Sequence, residues 1–288
     1  MIVETAPAKV NLYLHVGPLR RDGLHDLASL FVFTEDGDSI AVKPAPALSL
    51  QVAGPFAYAL SGLEPERNLV WRAAALLRET CGVKDGAAIA LEKNLPVAAG
   101  IGGGSADAAA ALRALVKLWR LDISKDALSA LAFRLGADVP ACLERTPVNV
   151  AGAGEKIERG PRLPALWACL VNPRVETPTG PIFRAFDQAH PEPSAPALAH
   201  LAPSDSVALR AMMERTRNDL EPFAVRRAPV IGDVIAMLKR APGAVAARMS
   251  GSGATCFGLF ASSAAAVRAA RRAQAKGWWA MASRLHVR

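Results

Sequence analysis

The sequence predicts an α+β fold in two domains, on three observations. Short runs in which apolar and polar residues alternate mark strands. Longer runs with an apolar residue every three or four positions mark helices. The second half reads strand, helices, hairpin, helix, strand, whereas a doubly wound sheet would alternate strand and helix throughout.

Each element follows in order. Val10, Leu12, Leu14 and Val16 alternate with Asn11, Tyr13 and His15 as a half-buried strand ended by Gly17-Pro18, with Lys9 on the face of Asn11. Arg21-Asp22-Gly23 makes a turn, Leu27 to Phe33 a second strand, and Ser39 to Val42 and Leu48 to Val52 two short ones. Asn68 to Thr80 reads as a helix with Leu69, Ala73 and Leu76 inward, closed at Cys81-Gly82. Ala87 to Glu92 is a strand, and a helix from Ser105 carries Leu112, Leu115, Val116 and Trp119 on one face. Ser124 caps the next helix, with Leu128, Leu131, Ala132 and Leu135 at helical spacing and Gly136 as its stop. The polar, glycine-rich Asn149 to Gly154 is the expected boundary, dividing residues 1–155 from 156–288. Leu166 to Val171 is an apolar strand, after which Thr177 to Pro181 punctuates and His190 to Pro203 forms a mobile excursion. Helices between Ser206 and Arg240, strands Ala244 to Met249 and Thr255 to Phe260, a helix through Arg272 and a strand near Met281 to Val287 complete the chain.

Between Glu92 and the helix at Ser105 lies the most informative segment, with Gly100, Gly102, Gly103 and Gly104 close together. Such a loop can turn its N–H groups inward on an anion, and the helix start adds free N–H groups and about half a positive charge. No Gly-Lys-Ser/Thr follows, so it is not a Walker A loop, and it lacks the dinucleotide-binding spacing. A flexible turn before an ordinary helix is the plain alternative.

Composition excludes several classes. The 288 residues, 51% hydrophobic, suffice for one large or two medium cores. No run approaches the ~20 apolar residues of a membrane span, and the N-terminus has no signal-peptide pattern. The net charge of +8 suits anionic ligands, but no basic stripe with interleaved aromatics points to nucleic acid. Cys81, Cys142, Cys169 and Cys256 are far apart, which suits reduced thiols in a cytoplasm, and the five histidines form no metal constellation.

Three segments together resemble one family. Ala6-Pro-Ala-Lys-Val-Asn-Leu-Tyr-Leu-His15 with Arg21-Asp-Gly-Leu-His-Asp26, then Pro96 to Ala110, then Met249-Ser-Gly-Ser-Gly-Ala-Thr-Cys-Phe257 resemble the three signatures of the GHMP small-molecule kinases. Leu135-Gly-Ala-Asp-Val-Pro140 and Asn218-Asp-Leu-Glu221 fit those members whose acceptor is a CDP-linked methylerythritol. The resemblance implies a two-domain GHMP kinase fold with its active site in the inter-domain cleft. It also implies ATP-dependent, Mg2+-assisted phosphorylation of that polyol's 2-hydroxyl in the non-mevalonate isoprenoid pathway. The expected partner is that small molecule, with no nucleic acid or membrane, and the protein a cytoplasmic monomer or homodimer. Two other readings use the same motifs: a kinase acting on homoserine or mevalonate, and a non-catalytic nucleotide-binding protein of this fold.

The resemblance also assigns residues. Asp138 and Lys9 match the catalytic pair; otherwise Asp138 is a helix N-cap and Lys9 a solvated strand-end charge. Pro96, Val97, Ala98, Ala99, Gly100, Ile101, Gly102, Gly103, Gly104, Ser105 and Ala106 match the ATP phosphate loop, with Ser105 a candidate Mg2+ contact. Asn68 and Lys93 match positions near the adenosine, their alternatives being a helix cap and a solvated strand end. On the acceptor side stand Asn11, His25, Thr179 and Phe183, with Gly251, Ser252 and Gly253 in the third glycine turn. Without the resemblance these are a polar strand face, a solvated histidine, a turn residue, a core phenylalanine and a plain hairpin. Two positions depart from the family pattern: Leu24 replaces a common tyrosine beside His25, and Ala106 replaces a common serine.

Overall fold

The first two strands set the architecture, and both outrun the sequence expectation. β1 (Ile2–Leu19) begins before Val10 and continues through Gly17-Pro18, and β2 (His25–Ala45) fuses the two strands expected at Leu27 to Phe33 and Ser39 to Val42. The computed structural model describes residues 1–189 and 202–287. They form two compact units that interleave along the chain. The first is Met1–Ala8, Asp36–Val97 and Gly102–Arg145, and the second Lys9–Glu35, Ala98–Ile101 and Thr146–Arg288.

In the first unit, β3 (Ser49–Ala53) runs parallel to β4 (Gly86–Glu92), which pairs antiparallel with Ser39–Ala45 of β2. Four helices belong to it: α1 (Leu69–Thr80), α2 (Gly103–Leu118), α3 (Lys125–Leu135) and α4 (Val139–Glu144). Asn68 caps α1 by accepting from the Val70 N–H, which establishes the capping role for its Oδ1. The buried face of α1 is Val70, Ala73, Ala74 and Leu77, so the predicted Leu69 and Leu76 sit at its margins. α2 starts at Gly103, two residues before the expected Ser105. Its burial is not one stripe: Ala106 and Ala108 to Leu112 are all enclosed, because alanine lets neighbouring chain approach from every side. Val116 and Trp119 of the predicted face are only half-buried. Ser124 and Gly136 cap α3 as expected.

In the second unit, β5 (Val148–Gly152) pairs antiparallel with Leu27–Phe31 of β2 and with β6 (Lys156–Arg159). The stretch Asn149 to Gly154, expected as a boundary, is thus largely strand: Asn149 and Val150 are both buried, and polarity misled. A four-stranded antiparallel sheet follows in the order β10–β7–β9–β8, made of β7 (Trp167–Asn172), β8 (Ala244–Met249), β9 (Cys256–Phe260) and β10 (Trp279–Arg284). α6 (Ser206–Arg215), α7 (Glu221–Arg227), α8 (Val230–Lys239) and α9 (Ser263–Gln274) fulfil the remaining helix expectations. α5 (Thr179–Ala189) was not expected: it begins inside the Thr-Pro-Thr-Gly-Pro segment read as punctuation. Ile182 and Phe186, four apart, bury its inner face beside Val171, Phe223 and Met249. Of the excursion predicted from His190 to Pro203, only Ala202 and Pro203 lie within the described residues.

Candidate active site

The second unit gathers three sequence motifs onto one framework. β1 carries Lys9 and Asn11 two residues apart, hence on one face. Lys9 is 5% exposed; its Nζ donates to Asn11 Oδ1 at 3.0 Å and lies 4.2 Å above the Phe31 ring. It is therefore a buried, engaged cation and not a solvated strand end. Asn11 Nδ2 donates to Ser29 Oγ at 3.0 Å, and the Asn11 N–H donates to Ser250 Oγ at 3.1 Å. The loop residues Ala98–Ile101 are stitched into the same framework. The Lys9 N–H donates to the Ile101 carbonyl, the Thr255 N–H to that of Ala99, and Ser250 Oγ to that of Gly100. Gly100 and Gly251 are required by this closeness. A Cβ on Gly100 would stand 2.6 Å from the Ser250 and Gly253 carbonyl oxygens, and one on Gly251 2.9 Å from that of Gly100.

The Asn-Asp-Leu-Glu segment supports this turn from behind. Asn218 Nδ2 donates to the Met249 and Gly251 carbonyls, and Glu221 Oε2 accepts from the Met249 N–H. Asp219 Oδ2 accepts from the Val16 N–H, which ties β1 to the same support. Asn218, Glu221, Ser29 and Ser250 had no assigned role in the sequence, because their partners are groups remote along the chain.

A second cluster in this unit surrounds His25, which opens β2 and is buried instead of sitting in a solvated loop. Its Nδ1 faces the Gly17 carbonyl at 3.0 Å; a carbonyl only accepts, so Nδ1 carries the proton. The Phe183 ring lies 5.0 Å away, tilted by 31°, and Asp187 Oδ1 stands 3.4 Å from Nε2. Thr179 and Ser252 share a hydrogen bond of 2.9 Å, so α5 and the third glycine turn also meet here. Leu24, at 50% exposure, points no ring into the cluster.

The first unit holds the remaining loop residues. Gly102, in the left-handed region at φ 62, is the N-cap of α2 and has no side chain to cap with. The N–H groups of Gly103, Gly104 and Ser105 form the open first turn, an anion-binding arrangement. The Ala106 N–H donates to the Gly102 carbonyl and its methyl is fully buried. Pro96 is buried and Val97 exposed, while in the second unit Ala99 and Ile101 are buried and Ala98 is exposed. Lys93 overturns the solvated strand-end alternative: it is 2% exposed, with its ammonium between Asp38 and Asp107. Burial alone would lower its pKa, but the two carboxylates outweigh burial and hold it above the ordinary lysine value. For Asp107, burial dominates and pushes the carboxyl well above the aspartate range despite Lys93. Asp138 precedes α4 half-buried and makes no side-chain cap, so the capping alternative does not account for it.

Comparison with known families gives this arrangement its context. The family described as GHMP kinases N terminal domain matches residues 68–145, and GHMP kinases C terminal matches 195–277. This chain belongs to the GHMP kinases. Among individual GHMP kinases, it is 49% identical to the 4-diphosphocytidyl-2-C-methyl-D-erythritol kinase of Hyphomonas neptunium over 97% of this chain and 95% of that protein. A crystal structure of 4-(cytidine 5'-diphospho)-2C-methyl-D-erythritol kinase superposes with a TM-score of 0.80 at 35% identity, covering 99% of both chains. A homoserine kinase from Cytophaga hutchinsonii reaches 0.73 at 20% identity over 99% of this chain and 94% of its own, a likeness of fold alone. As a GHMP kinase the chain uses ATP, and no helix among the described residues is long and apolar enough to cross a membrane.

Proposed function

We propose that this GHMP kinase phosphorylates the 2-hydroxyl of 4-diphosphocytidyl-2-C-methyl-D-erythritol, in the cytoplasm, on the non-mevalonate route to isoprenoid precursors. The observation that carries this choice of acceptor is the His25–Phe183 pair. A ring face beside an oriented imidazole suits a nucleobase, and homoserine and mevalonate have none to offer. Cys81, Cys142, Cys169 and Cys256 are not joined in disulfides, which supports a reducing compartment.

Phosphoryl transfer asks a protein for position and charge more than covalent chemistry. In this reading the ATP phosphates lie along Gly100 to Ser105, against the open N–H groups of α2. Asp138 takes the proton of the hindered tertiary hydroxyl, Lys9 offsets developing negative charge, and Asn11, held by Ser29 and Ser250, orients the acceptor. His25 reads the cytosine edge through Nε2, since Nδ1 is committed to Gly17, and Phe183 supplies the stacking face. Mg2+ would supply neutralising charge to the phosphates. Among the described residues no three acidic, histidine or cysteine side chains gather to hold a metal, so the ion fits as one borne mainly by the nucleotide, with Ser105 the candidate protein contact.

Incubation with ATP and a panel of acceptors tests the assignment. ADP release is expected with the CDP-linked methylerythritol, and release only with homoserine or mevalonate overturns the choice of substrate. Asp138→Asn is expected to lower kcat by about 10² or more. A variant within a few-fold of the parent would remove Asp138 from the reaction.

A further inference from the structure

Both ends of the glycine loop converge on one buried ammonium. Lys93 Nζ donates to Asp38 Oδ2 at 2.5 Å and to Asp107 Oδ2 at 2.7 Å. Asp38 Oδ1 accepts from the N–H groups of Asn94 and Leu95, so three successive residues entering the loop meet one carboxylate. Asp107 stands at the other end, in the second turn of α2. A Cβ on Gly103 would lie 3.5 Å from Lys93 Nζ, which places the ammonium directly against the first residue of that helix.

We propose that the Lys93–Asp38–Asp107 triad is a positioning device for the nucleotide: it fixes the two ends of the phosphate loop so that the first-turn N–H groups of α2 are in place before ATP arrives. This rests on the reading of the loop as the ATP phosphate site. Stability alone is a poor reason for the triad, because well-packed apolar residues commonly serve a core as well as a buried ion cluster. One oxygen of Asp107 is even left buried without a hydrogen-bond partner. What charge-assisted bonds add is direction. Direction matters where Gly102, Gly103 and Gly104 leave the backbone free to wander, since a loop ordered in advance spares the ligand that ordering cost.

Asp107→Ala tests this, because it cuts the tie to α2 while leaving the Lys93–Asp38 pair matched in charge. In the full-length enzyme, KM for ATP is expected to rise about ten-fold, as loss of one charge-assisted bond implies, with KM for the acceptor within about two-fold. Asp107→Asn, whose amide oxygen still accepts from Lys93, is expected to restore the parent value. Glu4→Ala removes another buried carboxylate in the same unit and serves as the structural control: its Tm falls and its KM for ATP does not move. The inference is overturned if Asp107→Ala lowers Tm but leaves KM for ATP at the parent value. If Asp107→Ala does not fold, Asp107→Ser, too short to reach the ammonium, is judged by the same outcomes. A parent enzyme with no saturable dependence on ATP overturns the functional reading itself, before any variant is compared.

Discussion

The two ends of α2 bury charge in opposite ways. At its start, one ammonium sits between two carboxylates, and all three side chains are at most 4% exposed. Toward its end, Arg113 and Lys117 reach back to Glu4 on β1, which Arg145 also approaches. There one buried carboxylate serves three cations, and the cations range from 12% exposed at Arg113 to 60% at Lys117. The first cluster has surplus acid and no water; the second has surplus base and water at hand. Water makes the second forgiving, because an unpaired cation there can still be hydrated. The first cluster has no such relief, which is the condition under which geometry is held most rigidly.

The largest expected effect is therefore Lys93→Met. It strands two buried carboxylates and is expected to cost about 3–5 kcal/mol, measured by urea unfolding. Glu4→Ala is expected to cost less, about 1–3 kcal/mol, because only Arg113 is left substantially buried without its partner. Equal costs for the two variants would erase the distinction between the ends of the helix.

Sequence reading reached the outer parts of this picture and missed its centre. The glycine loop was legible as a local anion-binding pattern, whereas Lys9, Asn11 and the Gly251 turn were singled out only through the family resemblance. His25 and Phe183 were legible only through the family resemblance, and the structure adds what the resemblance lacked, the Gly17 carbonyl and Asp187 as partners. The triad was not legible: Lys93 meets residues 55 positions before it and 14 after it, and no periodicity links them. Nor were the interleaved units, since β1 and β2 are each continuous strands that serve both. α5 was hidden by its own beginning, where Pro178, Gly180 and Pro181 look like a loop although proline is well tolerated in a first helical turn. At Ala106 the sequence marks a hydroxyl absent from the family pattern, and the structure buries the methyl that stands in its place.

Acidity should separate the two ends by sign. Burial pushes the Glu4 carboxyl up, but Lys117 and Arg113 outweigh it and hold it below the ordinary glutamate value of 4.5. Its contribution is present above that value and is lost as pH falls through the lower folded one. The stability gap between the parent and Glu4→Gln is accordingly expected to be constant near neutrality and to close in acid. Asp107 works the other way: its raised carboxyl contributes below the ordinary aspartate range and loses that contribution as pH rises. Asp107→Asn is expected to match or exceed the parent in stability at neutral pH and to lose that advantage in acid. Denaturant midpoints across pH check both, and two gaps of the same sign would show that the clusters do not differ as described.

The smallest expected effect lies at the most exposed member. Lys117 donates to Glu4 Oε1 at 2.5 Å, the shortest contact of its cluster, yet its side chain is 60% exposed. Distance would rank it first and exposure last; exposure wins, because water competes for the ammonium and ordering a long side chain offsets much of the attraction. Lys117→Ala is expected to change stability by no more than about 0.5 kcal/mol, and the remainder to shrink further in high salt. A loss as large as that of Glu4→Ala, persisting in salt, would mean that this end of α2 is as closed to water as the end beneath the glycine loop.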